Sequence, residues 1–155
     1  MIKLTSEELK YMGLFERITG AAAKDCVIDD VSQSLVTFVV DRDKISEAIG
    51  KRGSKIKLLG KMLGKDVEVV AFSEDQVEMV KNALAPAKVQ EVQIVEKNGK
   101  TIAIVYIDLE NRNKAVGKGG RRIRNAKKIV RRHCGIEDIV ISHEKLQGLE
   151  EAATR

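Results

Sequence analysis

The chain has 155 residues, 43% of them hydrophobic, which suits one compact domain or two small ones. Its apolar residues are mainly aliphatic, with no Trp, three Phe and two Tyr, which argues against an RRM-like surface of base-stacking aromatics. The net charge is only +5, but residues 48–65 hold six Lys or Arg and residues 111–135 hold ten, with no acid in either window, so the rest of the chain is net acidic.

In chain order, Ser6 opens a helix with Glu7 and Glu8 in its first turn and Leu9, Met12, Leu14 and Ile18 as its apolar face, ending at Gly20. Strands at 27–28 and 35–40 flank a polar turn at 29–34. A short helix at 44–49, a break at 50–53 and a helix at 54–63 follow, with Gly64 as cap and a strand at 66–70 behind it. Ser73 is expected to cap a helix running to Leu84, which Ala85, Pro86 and Ala87 end. A hairpin at 89–96 and 101–107 turns on Asn98-Gly99. A short helix at 113–116, a break at 117–120, a strongly basic helix at 121–134 and a strand at 138–141 complete the order.

The two halves are copies of one unit. A shift of 67 positions aligns Ile49-Gly50-Lys51-Arg52-Gly53-Ser54-Lys55-Ile56 with Val116-Gly117-Lys118-Gly119-Gly120-Arg121-Arg122-Ile123 without a gap, and aligns Phe38-Val39-Val40-Asp41 with Val105-Tyr106-Ile107-Asp108. A Gly-x-x-Gly pattern alone is near chance level in a chain with 12 glycines. Its repetition between two helices, inside the two acid-free basic windows, is not.

Such a loop has a clear chemistry. Glycine has no Cβ, so the backbone at Gly50, Gly53, Gly117 and Gly120 can approach a phosphate closely. The helix after each loop offers free N–H groups and the positive end of its dipole. Lys51, Arg52 and Lys118 add charge at the tips, with Gly119 in the second loop where the first has Arg52. Bases would then lie in a groove floored by Ile49 and Ile56, or by Val116 and Ile123. Lys55, Arg121, Arg122 and Arg124 extend the candidate RNA-binding set, and the second copy, with its more basic helix, is expected to supply more of the nonspecific affinity.

No Asp/Glu cluster, His-Cys arrangement or nucleotide-binding loop spacing supports catalysis, and His133 and His143 lack partners at metal-ligand spacing. The expectation is a non-enzyme without metal or cofactor. Cys26 and Cys134 read as buried thiols. No signal-peptide core or membrane-length apolar run is present, so a cytoplasmic protein with no membrane partner is expected.

The two glycine segments resemble the KH signature, and the order helix, strand, strand, helix, helix, strand is similar to its type II variant. Two such units in tandem resemble the archaeal NusA-like transcription termination and antitermination factors. The resemblance implies an α+β fold of two KH domains, at 1–72 and 73–144 with a flexible tail at 145–155, each with a three-stranded mixed sheet packed by helices on one face. It also implies binding of single-stranded RNA, on the order of four nucleotides per domain, by a factor acting on nascent transcripts with RNA polymerase nearby. Binding of ribosomal RNA by a ribosome-assembly or processing factor is the alternative, with ribosomal components as partners.

Overall fold

A computed structural model describes residues 2–142. The tail at 145–155 and His143 lie outside the described residues. The first unit runs α1 (Ser6–Thr19), β1 (Ala23–Ile28), β2 (Leu35–Val40), α2 (Ile45–Ile49), α3 (Ser54–Leu63) and β3 (Asp66–Ala71). The second runs α4 (Gln76–Leu84), β4 (Glu91–Lys97), β5 (Lys100–Tyr106), α5 (Leu109–Val116), α6 (Arg121–Cys134) and β6 (Asp138–Ser142). Each unit has a three-stranded mixed sheet, in the order β1-β2-β3 or β4-β5-β6, whose first pair is antiparallel and second parallel.

Local chemistry sets most of the boundaries. Thr5 and Glu8 form a reciprocal capping box at the start of α1, and Gly20 ends the helix in the left-handed conformation. At α4 the cap is Asp75 rather than Ser73: its carboxylate accepts from the Val77 N–H, while the Ser73 hydroxyl donates to Glu78. At α5 the helix begins earlier than the sequence suggests, because Asp108 caps it by accepting from the Asn111 N–H. The hairpin turn carries positive φ at both Asn98 and Gly99, as a two-residue turn requires.

Alternation along the strands splits the residues of the first sheet between two cores. Cys26, Ile28, Val36, Phe38 and Val40 face their own unit's helices and pack with Phe15, Ala48 and Leu59. Val27, Val39 and Val70 face the other way, onto Met79 of α4 and Ile129 of α6. The first sheet is therefore covered on both faces, one of them by the second unit. Phe15 and Phe38 stack in the first core with ring centroids 4.4 Å apart, and both are fully buried, so neither serves as a platform for bases.

Cys26 is fully buried, and burial, with the Glu8 carboxylate next in weight, pushes its thiol pKa up. Cys134 is only half-buried, at the end of α6.

Candidate nucleic-acid interface

Both Gly-x-x-Gly segments form the same turn. Lys51–Gly53 and Lys118–Gly120 are single 3-10 turns between a short helix and a longer one, closed by bonds from the Gly53 N–H to the Gly50 carbonyl and from the Gly120 N–H to the Gly117 carbonyl, each 3.1 Å. Gly50 and Gly117 have φ of 78° and 79° with ψ of 172° and 173°, a region open in practice only to glycine. A Cβ on Gly50 would stand 2.7 Å from Cγ of Lys55, and one on Gly117 2.8 Å from Cβ of Arg122.

The position two residues on is left-handed in both loops, φ 57° at Arg52 and 61° at Gly119. The glycine at 119 therefore releases a strain that Arg52 carries. Lys51, Arg52, Lys118 and Gly119 are exposed, and neither α3 nor α6 has a side-chain cap at its start, which leaves the first-turn N–H groups to a ligand or to water.

The remaining basic candidates point inward. Lys55 Nζ donates to the carbonyls of Glu47 at 3.0 Å and Thr19 at 2.8 Å, and Arg122, its counterpart in the second copy, donates to the carbonyl of Lys114. Glu47 and Lys114 are also counterparts under the 67-residue shift, so the same brace recurs in both loops. Arg122 further meets both Glu68 oxygens at 2.9 Å. Arg121 pairs with Asp66 at 2.6 Å, and Arg124 grips Asp29 with its Nε at 2.7 Å and its Nη2 at 3.0 Å.

These pairs belong to a larger contact between the units. The outward positions of β1 are Asp25, Val27 and, just beyond its end, Asp29; those of β3 are Asp66, Glu68 and Val70. Against them lie Arg121, Arg122, Arg124, Lys128 and Arg132 of the second unit, with Asn125 donating to Thr37 Oγ1 at 3.0 Å. The charge of α6 is thus largely neutralised by acids of the first unit. The expectation that this helix supplies the larger share of nonspecific affinity loses its physical basis. Sequence reasoning missed this role, although acids at alternate positions of two strands were its visible trace.

A cleft of about 900 Å³ runs along the first unit and ends at the second loop. Its walls include Ile56, Lys57, Gly60 and Lys61 of α3, Val67 of the edge strand β3, and Lys118 beside Arg121 of the second unit. Ile56 and Val67 also pack against the first core, as Ile123 packs against the second. Sequence analysis had not singled out Lys57 or Lys61. Both are exposed and belong to no ion pair among the described residues.

Comparison with known proteins agrees with this architecture. A family model described as the NusA-like second KH domain matches residues 76–144, and a KH domain model matches residues 10–81. The probable transcription termination protein NusA of Halococcus morrhuae is 35% identical over 141 residues, covering 91% of this chain and 99% of that protein. The protein of the same name from Methanocaldococcus jannaschii is 29% identical over 148 residues, covering 94% and 79%. A solved structure described as the crystal structure of APE1850 superposes with a TM-score of 0.74 at 34% identity, covering 90% of this chain and all of that one.

Proposed function

Since the chain belongs to the NusA family of transcription termination proteins, we propose that it binds single-stranded RNA as a NusA-like factor acting on nascent transcripts, with RNA polymerase as its working partner. Phosphates are held at Lys51 and Arg52 in one loop and at Lys118 in the other. Lys57 and Lys61 line the path between them. Bases turn into the cleft onto Ile56 and Val67, where one side of the edge strand β3 is free of sheet pairing and can meet base edges.

The observation that carries this reading is the continuity of the cleft. One wall comes from the first unit and the end wall from the second loop, so a strand lying in it runs along α3, the helix that follows the first Gly-x-x-Gly turn, and ends at the second turn. Because the units are joined through buried ion pairs, the two grips are held at a fixed separation, which favours an extended strand over a duplex.

Selection of bound sequences from a random RNA pool, followed by direct binding of the recovered RNAs, tests the proposal. Short unstructured RNAs should bind with micromolar or tighter affinity and weaken as salt rises. Equal affinity for duplex RNA would count against it. Recovery of RNA polymerase with the tagged protein from its native host tests the partner.

A further inference from the structure

We propose that the two units divide the work on RNA: the first seats bases in its groove, whereas the second grips the backbone at its loop and leaves bases unread. This rests on the RNA-binding function proposed above and refines it.

The 67-residue shift that superposes the loops also pairs the helices that follow them, so each groove-side position of α3 has a counterpart in α6. On α3 these positions are Lys57, Gly60 and Lys61, all of which line the cleft. Both lysines are exposed and belong to no ion pair among the described residues. Gly60 lies so near the start of β3 that a Cβ there would come within 3.0 Å of the Lys65 carbonyl oxygen. At this point the wall of the first groove carries no side chain.

The counterparts in the second unit are Arg124, Lys127 and Lys128, and each ends on a carboxylate. Arg124 makes a two-point contact with Asp29, whose side chain is fully buried. Lys128 pairs with Asp30. Lys127, standing where the first unit has Gly60, reaches Asp138 at 3.1 Å.

Asp138 holds the position in β6 that Asp66 holds in β3. Asp66 is in register with Leu35 and Asp138 with Ile102, and Leu35 and Ile102 are themselves related by the same shift. The Lys127–Asp138 pair therefore spans from helix to strand across the second groove. A base entering there competes with that partly exposed pair. To gain the free cations that the first groove offers, it must also draw Arg124 away from a buried carboxylate, leaving a charge without its partner.

The loop itself is not closed. Lys118 and Gly119 are exposed, and the start of α6 has no side-chain cap, so the second unit keeps what it needs to hold a phosphate. Base identity is then read over about four nucleotides, the reach of one KH groove, while the second unit extends the footprint without adding sequence preference.

The test is a position-by-position scan of one bound unstructured RNA with the full chain, first removing single bases and then replacing single phosphates with neutral methylphosphonates. Base removal should weaken binding about tenfold or more in one contiguous block, and phosphate neutralisation should weaken it in two blocks. The Lys127→Ala variant should gain a second base-sensitive block. Two base-sensitive blocks of similar depth in the wild type would overturn the division alone, and an unchanged scan for Lys127→Ala would overturn the role given to Lys127. Failure of every unstructured RNA to bind would overturn the proposed function and this division with it.

Discussion

Asp25 of the first unit and Arg132 of the second lie 2.7 Å apart, and the Asp25 side chain is fully buried. Its other oxygen pairs with Nε2 of His133 at 2.9 Å. A buried carboxylate satisfied from two side chains of the partner unit fixes the angle between the two Gly-x-x-Gly turns. Replacing Asp25 with Ala leaves Arg132 only the longer contacts to the Cys26 carbonyl at 3.3 Å and to Glu8 at 3.4 Å. Chemical denaturation should show a loss of about 3 kcal/mol, as for other half-deleted buried pairs.

A second buried acid makes stability depend on pH. The Arg124 guanidinium, with Ser32 bonds adding to it, holds the Asp29 carboxyl well below the usual carboxylate range. In the unfolded chain this group titrates near pH 4. Its contribution is fully present above that pH and falls away below it, as the unfolded state takes up a proton that the native state refuses. Denaturation midpoints measured between about pH 5 and pH 2 should therefore fall more steeply for wild type than for Asp29→Asn, which starts lower at neutral pH.

The first glycine of one loop and the third position of the other lead to different expectations. Gly50→Ala forces a side chain into a backbone region it cannot hold comfortably and against Lys55, and should cost more than about 2 kcal/mol in stability. Gly119→Arg, at a left-handed position with open space around it, copies what Arg52 already does. It should cost about 1 kcal/mol and tighten binding to a short unstructured RNA.

Lysines near each other in sequence separate a brace from a contact. Lys55→Ala removes two bonds to backbone carbonyls and should lower stability by about 1.5 kcal/mol. Lys57→Ala should leave the thermal midpoint nearly unchanged while reducing the slope of log affinity against log salt by about 0.7, the amount expected for one phosphate contact on a single strand.

The repeat, the element order and both loops were legible in the sequence because they rest on local rules. Gly20, Gly64 and Gly135 each end a helix in the left-handed conformation, and Asn98-Gly99 turns its hairpin as the dipeptide suggests. The fate of the basic helix was not legible. Asp25, Asp29, Asp66 and Glu68 alternate with aliphatic residues, a pattern that reads equally well as the solvated face of a sheet. Only the packing of one unit on the other turns that face into the seat for Arg132, Arg124, Arg121 and Arg122. Lys57 and Lys61 were overlooked for the mirror reason, since a lysine left without an acid becomes conspicuous only once its neighbours are seen to be paired.

The central claim is that exposed loop-tip cations hold RNA, and the most direct measurement compares wild type with Lys51→Asp/Arg52→Asp for binding of one short unstructured RNA across a salt series, with thermal midpoints taken in the same buffer. With Lys51, Arg52, Lys57, Lys61 and Lys118 each on a phosphate, the wild-type slope of log affinity against log salt should be about −3.5. The double variant should lose binding strongly at an almost unchanged midpoint, because both side chains are exposed. Equal RNA affinity for the two proteins, or a large drop in the midpoint of the variant, would contradict the account.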